Sequence, residues 1–418
     1  MTTIKITGGR QLAGSVKIHG AKNSVLPILA ATLLHEGKSV IHDCPWLKDV
    51  QTTFRILRKL GCEVRYEDGT AYINAEGICG HQIPDDLMRE MRSSVVFLGA
   101  IIGRCGSARV SYPGGCELGA RPIDLHLKAF REMGVRIEEN HGYLECETEH
   151  ILPCQVNLSF PSVGATENVM LLAVLAKGET VLTGAAREPE IVDLQNFLNE
   201  MGARVSGAGT DVIRVCGVKK LHDAEHRIIP DRIVAATYAS AAAVCGGDIR
   251  LENVIPEHIQ SVIHVLQEAG CEITAENGGI RVQRRGELLA VRNIRTMPYP
   301  GFPTDAQAPL MAAMCTAKGS SVFSETMFES RYKHVGELVR MGADIAVKET
   351  TAIVRGVKRL HGAPVLATDL RGGAALAVAG LAADGITEIG AIGHIDRGYV
   401  SIESDLTALG ADICRVTE

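Results

Sequence analysis

Apolar positions along the chain follow two alternating patterns, and both recur six times. A helical spacing of apolar residues closes on Leu, Met or Ala followed by glycine at Gly61, Gly134, Gly202, Gly270, Gly342 and Gly410, about every 70 residues. Each glycine is followed by a stretch of period two: Cys62–Tyr66, Val135–Glu139, Ala203–Ser206, Cys271–Ala275, Ala343–Val347 and Asp412–Val416. These predict strands, generally with a second strand after a turn. Ahead of each amphipathic helix lies another strand, at Lys38–Asp43, Ser107–Tyr112, Glu179–Gly184, Gly247–Asn253, Ser320–Glu325 and Ile386–Ala391. Ahead of that strand stands a second helix rich in Ala, Gly, Leu and Val: Ser24–Leu34, Ser93–Gly103, Thr166–Ala176, Ile233–Cys245, Ala306–Ala317 and Gly372–Ala383. Almost no charge falls on any of its faces, which marks a helix buried all round. The unit therefore reads helix, strand, helix, strand, strand.

The sixth unit is one strand short, and residues Ile4–Ile18 are left over to supply it. This predicts an α/β protein with a discontinuous domain of residues 1–20 and 230–418, three units in all, closed by pairing of the chain ends. Residues 21–229 form an inserted domain with the other three units. A chain of 418 residues is too long for one ordinary core.

Composition narrows the function. A net charge of −6 over this length gives no reason to expect nucleic acid or an anionic membrane as partner. The twelve cysteines are scattered, with no C-x-x-C pair, which points to reduced thiols, a cytoplasmic setting and no zinc or other metal site. The N-terminal Met-Thr-Thr-Ile-Lys-Ile lacks an apolar signal core, and Ile233–Cys245 is too short and too Ala-rich to span a bilayer. No Gly-x-Gly-x-x-Gly turn or Walker loop calls for NAD or ATP, so no cofactor is expected.

In the repeat frame the polar residues gather at two equivalent places. Lys48, Arg121, Arg187, Arg331 and Arg397 stand near the start of the outer helix in five units. Lys22-Asn23, Arg92, Ser162–Gly164, Asp231-Arg232, Thr304-Asp305 and Asp369–Arg371 stand at the start of the buried helix. Helix starts offer amide donors and a positive dipole end, so two such ends facing each other predict a cleft for polyanionic substrates. Lys48, Arg187 and Arg232 read equally well as inherited surface charges, and Asp231 and Asp369 as helix caps. Between Ser111 and Leu127, Pro113, Gly114, Gly115 and Gly119 predict a loop that presents Cys116, with Arg121 beside a helix start at Pro122. That combination suits a phosphate or carboxylate with a thiol above it.

The Ser111–Leu127 stretch resembles the reactive loop of the UDP-N-acetylglucosamine enolpyruvyltransferase family. So do Gly20–Asn23, Pro161–Thr166, Ala186–Asp193, Phe302–Asp305, Thr368–Arg371 and His394–Tyr399, which together span essentially the whole chain. The resemblance implies a two-domain inside-out α/β barrel with three repeats per domain. It implies transfer of the enolpyruvyl group of phosphoenolpyruvate to the 3-hydroxyl of UDP-N-acetylglucosamine, the first committed step of peptidoglycan precursor synthesis. Cys116 matches the general acid, which in the family also forms a covalent phosphoenolpyruvate adduct and is the target of epoxide inhibitors. Asp305 matches the base, although a helix cap is an open reading for it. Lys22, Asn23, Arg121 and Arg397 match contacts to the phosphate end of phosphoenolpyruvate, and Arg371 matches a contact to its carboxylate. Arg92, Arg121, Pro122, Ile123, Asp124, Leu125, Ser162, Val163, Gly164, Asp305 and Met327 match the nucleotide-sugar contacts. Some members carry a lysine just before Ser-Val-Gly, where this chain has Phe160-Pro161. An enolpyruvyl transferase acting on shikimate phosphate would share the repeats but lack the Pro-Gly-Gly-Cys loop. A non-enzymatic repeat scaffold would need none of Cys116, Asp305 and the four cations together.

Overall fold

The structure, a computed structural model, describes residues 2–111 and 123–417, of which Arg92 and Ser93 are described in backbone only. One compact unit comprises Met1–His19 with Pro230–Glu418, and the other is drawn from Gly20–Ile229. Each has its own apolar core.

In the first unit the core is a bundle of three helices, Arg232–Cys245, Thr304–Met314 and Leu370–Ala382, packed on one another. Their side chains are buried on nearly every face. The small residues that gave them no amphipathic stripe also let neighbouring side chains pack closely: a Cβ on Gly373 would come within 2.6 Å of Ile395 Cγ1. Three four-stranded sheets flank the bundle among the described residues. In one of them Thr2–Thr7 lies antiparallel between Ile386–Gly390 and Asp412–Thr417, with Pro364–Leu366 at the edge. Ile4 and Ile6 point from this strand into the core and are fully buried.

The second unit repeats the plan with Lys22–Ala31, Phe97–Cys105 and Val163–Ala173 as inner helices. Two of its sheets have four strands and one has three, Ser107–Ser111, Tyr143–Glu147 and Arg136–Asn140. A single parallel bridge, Gln82 to Arg109, stands where the fourth strand would be.

Two features depart from the repeat read in the sequence. A short strand precedes three of the inner helices and pairs parallel with the strand that follows the helix, as Gln155–Asn157 does with Glu179–Thr183, Asn293–Arg295 with Ser320–Ser324 and Pro364–Leu366 with Ile386–Gly390. Only three residues long, such strands show no periodicity to read. Leu12–Lys17 does not join the sixth unit; it is the short strand beside Gly247–Glu252. Its counterpart in the second unit is Ala224–Arg227, paired with Lys38–His42. The inner helices also start earlier than their apolar runs, so Lys22, Asp305 and Arg371 fall within first turns.

The six repeat glycines all adopt left-handed backbone, with φ from +86° to +105°. At Gly61 this lets its amide reach the carbonyls of Leu57 and Arg58 and end the helix Lys48–Leu60. Among the described residues, no helix is long and apolar enough to cross a membrane.

Candidate active site

In the first unit the helix Thr304–Met314 begins without a side-chain cap, because Pro303 occupies that position. Asp305 faces two guanidinium groups instead. Arg331 Nη2 donates to its Oδ1 at 2.6 Å, and Arg371 Nη2 donates to its Oδ2 at 3.1 Å. The two arginine side chains are only 2% and 3% exposed, whereas that of Asp305 is 28% exposed. Asp369 caps the helix Leu370–Ala382, its Oδ1 accepting from the amides of Arg371 and Gly372 at 2.9 and 3.0 Å. Asp231 caps Arg232–Cys245 in the same way, at 2.9 and 3.0 Å from the amides of Ile233 and Val234. For these two acids the cap reading holds.

Burial opposes charge on Arg371, but the nearby Asp305, Tyr399 and Asp231 outweigh it and raise the guanidinium above its ordinary range. Its Nε and Nη1 are buried and have no hydrogen-bond partner among the described residues. A fixed, buried positive charge with N–H donors to spare suits an anionic ligand group.

Glu325, which the sequence reading did not single out, organises the surroundings. It is 2% exposed. Its Oε2 accepts from Thr304 Oγ1 at 2.9 Å, and its Oε1 accepts from Thr296 Oγ1 at 2.9 Å and from the amides of Met327 and Phe328 at 2.8 and 3.2 Å. The half-buried Met327 is thereby fixed beside the helix that carries Asp305. A lone Glu ending an apolar strand gave the only sequence signal for this role. Arg397 ends the 3-10 turn Ile392–Arg397, which packs on the helix of Arg371.

In the second unit Lys22 opens the inner helix Lys22–Ala31, where the helix dipole disfavours a cation. Asp49 compensates, its Oδ2 lying 2.7 Å from Lys22 Nζ, with side-chain exposures of 10% and 2%. Asp49 sits in the first turn of Lys48–Leu60, so the carboxylate also meets a favourable dipole. Asn23 is half-buried and Lys48 is exposed. Ile123 leads into the helix Asp124–Glu132, on which Asp124 is exposed and Leu125 half-buried. His126 of that helix packs on Gly164, where a Cβ would approach its Cε1 to 3.1 Å. This brings Ile123, Asp124 and Leu125 beside Ser162, Val163 and Gly164. Asn168 fixes the ring: its Nδ2 donates to His126 Nδ1 at 2.9 Å and to the Val95 carbonyl at 3.1 Å, while its Oδ1 accepts from the Gly99 amide at 2.7 Å. The imidazole proton is thus on Nε2, and burial lowers the group to about 4, so it is neutral. Ser162 Oγ accepts from the Ala165 amide at 3.4 Å, a long cap of Val163–Ala173.

The basic residues of the outer helices do not occupy one position. Lys48 is the first residue of its helix, whereas Arg187, Arg331 and Arg397 stand before helices that begin at Pro189, Val335 and Ile402. Arg187 is exposed and pairs with Asp211 at 3.7 Å, a surface contact. Arg92 opens the 3-10 turn Arg92–Val96. Cys116, Arg121 and Pro122 lie outside the described residues.

Known proteins agree with this architecture. A family described as EPSP synthase (3-phosphoshikimate 1-carboxyvinyltransferase) matches residues 6–406. The chain belongs to the enolpyruvyl transferases. Among curated members, UDP-N-acetylglucosamine 1-carboxyvinyltransferase 2 of Caldanaerobacter subterraneus subsp. tengcongensis is 52% identical over 416 residues, covering 100% of both chains. UDP-N-acetylglucosamine 1-carboxyvinyltransferase of Geotalea uraniireducens is 49% identical over 418 residues, again covering 100% of both. The crystal structure of the enolpyruvyl transferase NikO from Streptomyces tendae superposes with a TM-score of 0.90 at 25% identity, over 100% of this chain and 99% of that one. In this enolpyruvyl transferase, one unit holds Asp305 between two buried arginines, and the other holds Lys22 on Asp49 and the Gly164 and Asp124 helix starts together.

Proposed function

We propose that the chain transfers the enolpyruvyl group of phosphoenolpyruvate to the 3-hydroxyl of UDP-N-acetylglucosamine, with release of phosphate, and so supplies the first committed step of peptidoglycan precursor synthesis. The observation that carries this reading is 52% identity, over the whole chain, to an enzyme named for that reaction. In the proposed addition, Asp305 takes the proton from the sugar hydroxyl, whose oxygen bonds to carbon 2 of phosphoenolpyruvate while Cys116 delivers a proton to carbon 3. Elimination breaks the bond from carbon 2 to the phosphate oxygen and removes a proton from carbon 3, restoring the vinyl group. Lys22, Asn23, Arg121 and Arg397 hold the phosphate end, and Arg371 holds the carboxylate, a role that its two buried donors suit. The nucleotide sugar meets Arg92, Arg121, Pro122, Ile123, Asp124, Leu125, Ser162, Val163, Gly164, Asp305 and Met327. No cofactor takes part beyond a phosphoenolpyruvate adduct on Cys116, and the reaction belongs to the cytoplasm.

Phosphate release from phosphoenolpyruvate and UDP-N-acetylglucosamine tests the reading. The wild type is expected to turn over and Cys116→Ala to lose most activity. Shikimate 3-phosphate, the acceptor suggested by the family's description, is expected to support none. Turnover with shikimate 3-phosphate alone would reverse the assignment.

A further inference from the structure

Lys22 and Asn23, proposed above to hold the phosphate end of phosphoenolpyruvate, open a helix whose cap residue, Ala21, makes no side-chain hydrogen bond. A carboxylate from another element holds this first turn. Asp193, on the helix Pro189–Glu200, is 2% exposed, and its Oδ2 accepts from the Ser24 hydroxyl and from the Ile229 amide, the latter at 3.3 Å. The Ile229 carbonyl in turn accepts from the Ala21 amide at 2.7 Å. Ala21 on one side of the Lys22-Asn23 pair and Ser24 on the other are thus both tied to a single buried group. That group is itself held. Its Oδ1 accepts from His226 Nε2 at 3.0 Å, and Nδ1 of the same ring lies 2.8 Å from Glu200 Oε2. His226 comes from the strand Ala224–Arg227, and the Phe197 ring packs beside it with centroids 5.5 Å apart. A carboxylate at each ring nitrogen calls for an N–H on each. Burial opposes the charge, but Asp193 and Glu200 outweigh it and raise the imidazole above its ordinary range.

We infer that Asp193 is a positioning residue for the phosphate contacts: by holding Ser24 directly and Ala21 through Ile229, it sets where the Lys22 ammonium and the Asn23 amide point. The inference rests on the proposed role of Lys22 and Asn23. Unwinding the helix start by even one residue would turn both side chains off the ligand, because successive helical residues are rotated by about 100°. The contact from Asp49 acts on the charged end of Lys22, whereas Asp193 acts on the residues at either side of the pair. Buried to this degree, Asp193 works through those residues and not on the ligand. The 45% exposed Glu200 stands at the outer end of the same line of contacts, beyond His226.

The test measures phosphate release and thermal unfolding for Ser24→Ala, Asp193→Asn, Lys22→Met and Glu200→Gln in the full chain. Asparagine keeps the shape of Asp193 but turns an N–H toward one of the donors Ser24, Ile229 and His226; Ser24→Ala removes a single contact. Each is expected to lower kcat/KM for phosphoenolpyruvate by roughly 10- to 100-fold, as for loss of one hydrogen bond to a charged group, with the KM for UDP-N-acetylglucosamine within about threefold of wild type. Lys22→Met is expected to lose at least as much. Glu200→Gln leaves Asp193 on its donors and is expected to stay within about threefold of wild type in every constant. If Asp193→Asn fails to fold, Ser24→Ala carries the comparison. Wild-type kcat/KM for phosphoenolpyruvate in Ser24→Ala and Asp193→Asn, beside an impaired Lys22→Met, overturns the inference. So does an equal rise in the KM of the nucleotide sugar, or an equal loss in Glu200→Gln, since either marks a general loosening of the region. Wild-type values in Lys22→Met itself instead overturn the phosphate assignment of Lys22, so the two failures are told apart.

Discussion

Burial sorts the thiols of this chain at the level of single residues. It pushes Cys44, Cys62, Cys146, Cys245 and Cys315 up to about 12 and Cys271 to about 11, so at neutral pH they stay protonated and shielded from reagents. An epoxide mimic of phosphoenolpyruvate, applied with UDP-N-acetylglucosamine, is expected to add one equivalent at Cys116, mapped by peptide mass. No adduct there after prolonged exposure rejects the acid assignment. Buried histidines give a second test. His126 and His334 are both lowered to about 4 by burial. Below the ordinary value near 6.5 the unfolded chain binds protons that the folded chain refuses, so stability falls on acidification. From pH 7 to pH 5 each costs about 2 kcal/mol. His334→Gln cannot titrate and is expected to reduce the pH dependence of the urea midpoint by that amount; an unchanged dependence counts against it. The burial of the two histidines was not legible in the sequence, where His334, three residues past Arg331, and His126, beside Leu127, look alike.

At the level of elements, the repeat glycines were legible because left-handed backbone leaves few alternatives to glycine. They still differ in surroundings. A Cβ on Gly270 meets nothing closer than the Glu287 carbonyl oxygen at 3.4 Å, whereas on Gly61 it would lie 2.3 Å from the Gly77 carbonyl oxygen. Gly270→Ala is therefore expected to cost only the backbone term of about 1–2 kcal/mol, and Gly61→Ala clearly more, as read from urea unfolding. Equal losses would mean that the backbone near Gly77 yields freely. The inner helices were legible by the absence of charge, and their first turns were not, because Lys22, Asp305 and Arg371 break the apolar run that defined them. The candidate site therefore sits where the pattern fails. Its named residues were found by family motifs; the Glu325 and Arg331 contacts, which run across a turn, needed coordinates.

On the scale of the whole molecule, the alternation of six repeats fixed the six-sheet plan, while the short parallel strands escaped it. Thr2–Thr7 belongs centrally in its sheet, and Ile6→Ala is expected to cost about 2–5 kcal/mol. Substituting its exposed neighbour, Thr7→Ala, is expected to stay within about 0.5 kcal/mol. Hydrogen exchange should show the Ile6 loss in residues 232–382 and spare residues 22–227; a uniform loss would argue against two separate cores. That strand placement also has a consequence for biosynthesis. Everything the Gly20–Ile229 body needs has been translated before residue 230 leaves the ribosome, but the first strand made must wait for partners at 386–390 and 412–417. During that interval Ile4 and Ile6 have no sheet to enter, so the emerging polypeptide must carry an apolar, β-prone leader past a finished neighbour, and this is the stage at which chaperone capture has something to hold.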